Sequence, residues 1–196
     1  MLKPNELEET LLDLTNQALG KALEDWEMQV GFASKLGVGE ARMLRRSEDL
    51  ETSLGSEPYL EVTTCVAQAA AGVVRIFLPV EAAWLLLRDV LCLPSSAERD
   101  AGEPLDETGV EALQEMMNLL CGSANVVYGG YGLRLSQSVD DLRVEQHAAG
   151  VAPDLRGLTI RFPYEIEGAP TSEIVQVMPV PLALAVARAI RSQRAA

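Results

Sequence analysis

Two stretches of the chain, ETLLDLTNQALGKA from Glu9 and EALQEMMNLLCGSA from Glu111, repeat each other at a spacing of 102 residues. Glu9 meets Glu111, Leu11 meets Leu113, Asn16 meets Asn118, Gly20 meets Gly122 and Ala22 meets Ala124, while Asp13 falls on Glu115. A second pair, VRIFLPVEAAWLLLRDVL from Val74 and IVQVMPVPLALAVARAI from Ile174, aligns at 100 residues, with Pro79 on Pro179, Ala83 on Ala183 and Arg88 on Arg188. Self-similarity at one nearly fixed spacing marks a duplicated unit. The 196 residues therefore read as two related halves, about 1–93 and 105–196, joined by a turn-rich linker at about 94–104. That linker is too short to separate independent domains, and the length suits one domain. A single domain spanning 1–196, with pseudo-twofold symmetry, is the expectation.

Each half has the same coarse order of helix, strands and helix. In the first half, apolar periodicity predicts a helix over Pro4–Asp25. β-Branched and apolar runs predict strands over Met28–Ala33, Tyr59–Ala67 and Gly72–Leu78, the last running into a helix opened by Pro79. In the second half a helix is expected over about Gly109–Cys121, weakened at Gly122. Strands follow near Leu133–Val139, Leu142–His147, Leu158–Phe162 and Glu173–Met178, then a helix from Pro181. The nearly all-apolar LALAVARAI from Leu182 is either buried on the sheet or shared with another copy, so monomer and homodimer both stay open.

On the second-half helix, Glu111, Gln114, Glu115 and Asn118 lie at i, i+3, i+4 and i+7, one continuous stripe, with Leu113, Met116, Met117 and Leu120 on the opposing side. Glu115 and Asn118 thus stand side by side facing away from the core. A polar stripe is what any amphipathic helix shows, but Asn is a mediocre helix former at mid-helix, and its recurrence at Asn16 favours a functional role. Glu111 also has a structural explanation, because Thr108 three residues earlier makes a T-x-x-E capping box. YGGYG from Tyr128 lacks the order of a phosphate loop and reads as a turn, and GVGEAR from Gly37 fails the dinucleotide pattern at Arg42.

Composition narrows the partners. Acidic residues outnumber basic ones 29 to 16, for a formal charge of −13, which disfavours nucleic acid and anionic membrane surfaces. The start of the chain lacks the order of a secretory signal, and the apolar stretch from Val73 to Leu87 is broken by Arg75 and Glu81, so a cytoplasmic protein is expected. Cys65, Cys92 and Cys121 are odd in number and set among apolar neighbours, as reduced core thiols are. With one histidine, His147, and no CxxC pair, no metal site or histidine-based triad is expected.

EALQEMMNLLCGSAN resembles the signature helix of the CheC, CheX and FliY group of chemotaxis phosphatases, whose motif is an acid or serine, three residues, Glu, two residues, Asn. The duplicated layout, with one such helix per half, is similar to CheC in particular. The resemblance implies an α/β (α+β) domain of two pseudo-twofold-related halves, sharing a β-sheet and presenting long exposed signature helices. It further implies a phosphatase that hydrolyses the aspartyl phosphate of a CheY-like response regulator. Asn118 would hold the in-line water and Glu115 would pair with the regulator's lysine. Asp13 and Asn16 would form a possible second site, with Glu111 and Glu9 as accessory acids.

No cofactor of the chain's own is implied, since Mg²⁺ belongs to the receiver domain, and a CheD-like protein is a further candidate partner. The alternative is a non-catalytic receiver-binding adaptor or flagellar switch-type protein with degenerate sites. Asp13 is one methylene shorter than the family's Glu, and Glu111 and Glu9 stand where the family prefers Asp or Ser.

Overall fold

Leu7, Leu11, Leu14, Ala18 and Ala22 recur every three or four residues, and all are buried on one side of helix α1 (Pro4–Val30). The computed structural model describes residues 4–30, 34–36, 40–44, 58–67, 73–90, 103–135, 143–148, 157–166 and 172–194. Helix α1 passes the expected end at Asp25 and takes in Met28–Val30, where a strand was expected. No glycine or proline interrupts the sequence between Gly20 and Gly31, so nothing local stops the helix there.

The other helices are α2 (Val80–Val90), α3 (Glu107–Gly129) and α4 (Val180–Arg194). Helix α3 runs two turns beyond the expected end and straight through Gly122. A mid-helix glycine costs about 1 kcal/mol, but Cys121, Ala124 and Tyr128 continue the buried stripe of Leu113, Met116 and Met117 past it. Burial of such side chains contributes on the order of 1.5–3 kcal/mol each, so packing outweighs propensity. The helix stops at YGGYG, where Gly132 is left-handed at φ 69° and the Leu133 amide donates to the Tyr128 carbonyl at 3.0 Å. The expected turn is therefore a helix stop.

Among the described residues, eight strands form one antiparallel sheet: β1 (Ser34–Leu36), β2 (Glu40–Leu44), β3 (Tyr59–Ala67), β4 (Val73–Pro79), β5 (Arg134–Leu135), β6 (Arg143–His147), β7 (Gly157–Ile166) and β8 (Ser172–Met178). The sequence pattern missed β1 and β2. Of the expected strand near Leu133–Val139, Arg134–Leu135 is a strand and 136–139 lie outside the described residues, as do 31–33 and most of the proposed linker. The path is β1-β7-β8-β4-β3-β5, with β2 also on β7 and β6 also on β3.

The register carries the symmetry. At the centre Ile76 pairs with Gln176, flanked by Arg75 with Val177 and Phe77 with Val175. Residues 100 apart thus exchange places, and a pseudo-twofold axis runs through the Ile76 and Gln176 pair. The outer strands are exchanged between halves: β1 and β2 of the first half pair with β7 of the second, and β5 and β6 of the second pair with β3 of the first. Neither half completes a sheet with its own strands.

Helices α1 and α3 pack together, α4 lies against α1 and α2 against α3. Their apolar stripes meet Leu60, Val62, Leu158, Ile160 and Phe162 in one core. Leu182, Ala183, Val186, Ala187 and Ile190 of α4 are buried within this chain, so that apolar helix is accounted for by its own core. A smaller cluster of Tyr59, Phe77, Val175 and Val177 occupies the other face of the sheet, as strand alternation requires.

Candidate functional site

Helix α3 is started by Asp106, whose carboxylate accepts from the Gly109 amide at 2.7 Å. Asp106 is therefore the cap, and the expected Thr108 to Glu111 capping box is not the device that starts this helix. Thr108 already lies inside it, which leaves Glu111 exposed with no capping duty. Just before the cap, the Gln146 side chain holds Leu105 on both sides, accepting from its amide at 2.7 Å and donating to its carbonyl at 2.8 Å. The helix is thus anchored to β6 at its start.

With the apolar stripe turned to the sheet, Glu115 is exposed and Asn118 is half-buried. Asn118 does not stand clear in solvent as the stripe suggested: its Oδ1 is enclosed and has no hydrogen-bond partner among the described residues. Two turns on, Asn125 of the same helix behaves differently. Its Nδ2 donates to the Leu135 carbonyl at 3.1 Å and its Oδ1 accepts from the Leu135 amide at 2.6 Å, so it pins β5 as a surrogate backbone. Asn125 is spent on structure, whereas the acceptor of Asn118 is free. Thr64 Oγ1, Thr159 Oγ1 and Arg161 Nε are likewise enclosed without a partner among the described residues, so what sets Asn118 apart is its place one turn from the exposed Glu115. Glu115 makes no ion pair or hydrogen bond among the described residues.

The first motif is placed alike but partnered differently. Glu9 and Asp13 are exposed and Asn16 is half-buried on α1. Asp13 is occupied at both oxygens: Oδ1 accepts from Gln17 Nε2 at 2.9 Å and Oδ2 from Arg194 Nη2 at 2.8 Å. Arg191, one turn earlier on α4, holds Glu6 at 3.0 Å. The guanidinium of Arg194 is pushed further above its ordinary pKa by the Asp13 hydrogen bond and then by one with Tyr131. Sequence reasoning missed Arg194. The available signal was the pair of arginines closing an otherwise apolar helix, where the backbone dipole favours cations.

The remaining ionisable groups sit elsewhere. On the far face of the sheet, Glu61 is buried and held by Arg75 at 2.8 Å, with His147 Nε2 at 3.0 Å from its other oxygen and the His147 ring stacked on Tyr59. His147 is therefore a half-buried strand residue in a polar cluster with Glu61 and Arg75. Burial and then Glu61 push the Tyr59 phenol up to about 12. Glu61, Glu145 and His147 could offer ligand atoms within 4.8 Å of one another, but Arg75 already compensates Glu61, so the bound cation there is the guanidinium.

Burial likewise pushes the Cys121 thiol up to about 11 and raises the Tyr128 phenol, leaving both protonated at neutral pH. Cys65 is half-buried and Cys92 lies outside the described residues. A cavity of about 60 Å³ beneath Met116, Met117 and Leu120 is lined only by apolar side chains and offers no group for catalysis. No described helix is long and apolar enough to cross a membrane.

No known family profile and no curated protein matches the chain. Solved structures do. FliY of Thermotoga maritima superimposes with a TM-score of 0.78 at 21% identity, over 98% of this chain and 99% of that one. FliM in a FliG–FliM complex from H. pylori gives 0.67 at 9% identity, over 95% and 100% of the two chains. A CheC-like chemotactic protein from Shewanella oneidensis gives 0.53 at 14% identity, over 83% and 95%. With a duplicated antiparallel sheet and two motif helices side by side, the chain has the fold shared by FliY, FliM and the CheC-like chemotaxis proteins.

Proposed function

We propose that the protein is a phosphatase of the aspartyl phosphate on a CheY-like receiver domain in a chemotaxis pathway, and that it works from helix α3. The observation that carries this reading is the orphaned Oδ1 of Asn118, one turn from an exposed and unpaired Glu115. The acyl phosphate arrives in the receiver with its own Mg²⁺ and lysine, so the phosphatase supplies orientation. On docking, the Asn118 amide turns outward from its enclosed position, accepts from the attacking water and holds it in line. The water oxygen bonds to phosphorus as the bond to the aspartyl oxygen breaks, the carboxylate leaves with that electron pair, and the water's proton passes to solvent. Glu115 pairs with the receiver lysine and fixes the docked register.

The direct test adds the purified protein to receiver domains carrying labelled aspartyl phosphate and follows decay. Asn118→Ala should abolish most of the acceleration. Glu115→Ala should lower the rate at subsaturating receiver roughly tenfold or more, because a charged hydrogen bond contributes about 1.5–3 kcal/mol. Asp13→Ala should cost much less, since that carboxylate is already held by Arg194 and Gln17. Equal losses from the two acid variants would mean that both helices work alike.

The second reading is a flagellar switch-type adaptor. It is favoured by the likeness to FliM from a FliG–FliM complex and by the occupied acid of the first motif. Receiver binding without any acceleration of decay by the wild-type protein would select it.

A further inference from the structure

We infer that the last turn of helix α4 is an intramolecular cover for the first motif, placing the chain's own cation where a receiver lysine would otherwise dock. The inference rests on the receiver reading above and concerns what regulates its second site. Arg194 Nη2 lies 2.8 Å from Asp13 Oδ2 and Gln17 Nε2 lies 2.9 Å from Oδ1, so neither oxygen of the motif acid lacks a donor. Tyr131, in the turn that stops α3, also acts on the Arg194 guanidinium, which places the cover beside both motif helices. The Arg191 and Glu6 pair at 3.0 Å fastens the same turn of α4 to α1 one turn further out.

Among the described residues the second motif has no such cover. Continuing the 100-residue alignment past Arg88 and Arg188, Arg191 falls on Leu91 and Arg194 on Pro94, and neither carries a charge. At the 102-residue spacing, Gln17 falls on Leu119, which is half-exposed and cannot donate to Glu115. All three donors of the arrangement are therefore missing from one half and present in the other. A mere fastening of α4 to α1 needs only Arg191 and Glu6; Arg194 does something additional by landing on the motif acid. Exposed ion pairs are weak and exchange readily. The cover is thus one that a well-oriented cation could displace, and it biases the two sites toward use of the second.

Carboxylate footprinting tests the cover without any receiver. The protein is treated with a water-soluble carbodiimide and an amine, and modification is followed at single residues by mass spectrometry. In the wild type Asp13 should react several-fold more slowly than Glu115. Arg194→Ala should bring the two within about twofold, while Arg191→Ala, which loosens α4 but keeps the contact to Asp13, should leave Asp13 slow. Equal reactivity in the wild type, or no change in Arg194→Ala, would overturn the inference.

The functional arm uses Asn118→Ala as background, so that only the first motif can act. Adding Arg194→Ala should raise the decay rate of phosphorylated receiver several-fold, and an unchanged rate beside an opened footprint would overturn the regulatory role. If the wild type does not accelerate decay at all, the phosphatase reading has failed, and the footprint alone decides whether the cover exists.

Discussion

Asn118 and Asn125 sit two turns apart on one helix, and their difference makes a prediction that needs no partner protein. Asn125→Ala removes two hydrogen bonds to Leu135 and leaves that strand's amide and carbonyl without their partner. At about 1 kcal/mol per bond, and more for a backbone group left buried, it should destabilise the fold by about 2 kcal/mol. Asn118→Ala removes an acceptor that bonds to nothing, so its stability should stay within about 0.5 kcal/mol of wild type or rise. Thermal and urea unfolding of the two variants measures this. A large loss for Asn118→Ala would assign it to the core instead of the site. The sequence singled out Asn118 through its recurrence at Asn16, a signal that needs no tertiary knowledge. It could not join Asn125 or Arg194 to their partners, which lie 10 and 181 residues away.

Strands with clear β-branched runs were legible almost to the residue, as with Tyr59–Ala67, because alternation and burial agree there. Helix ends were not. Gly122 looked like a stop and is tolerated, since what holds α3 past it is packing against α1 and the sheet, including the meeting of Ser123 with Asp25. The glycine that does matter for the sheet is Gly157. A β-carbon there would lie 2.4 Å from the Met178 carbonyl oxygen of β8, and backbone cannot yield as a flexible side chain does. Gly157→Ala should therefore force β7 and β8 apart at their first paired residues and destabilise the protein by about 1–3 kcal/mol. Gly20→Ala, with nothing near its absent side chain, should be neutral or stabilising by about 1 kcal/mol. Denaturant midpoints of the pair give the comparison, and equal midpoints would mean that the strands adjust freely.

The duplication was legible because alignment of a chain with itself uses no structure, whereas the exchange of outer strands was not, because either half's β-patterns could have paired at home. Its consequence can be tested by dividing the molecule. Residues 1–93 or 105–196 expressed alone should not give a folded monomer, since β3 and β7 would each lack their outer partners. Co-expression should restore helical circular dichroism and a one-to-one complex on size-exclusion chromatography. A stable folded monomer of either half would show that the halves are independent after all. The same exchange also sets a timetable for synthesis. Strand β2 leaves the ribosome by residue 44, and its pairing partner in β7 ends at residue 161, more than a hundred residues later. At about 5–20 residues per second the early strands wait roughly 5–20 s with open edges. Through that interval like-charge repulsion disfavours association of unfinished chains, since acidic residues exceed basic ones by 13 over the full sequence.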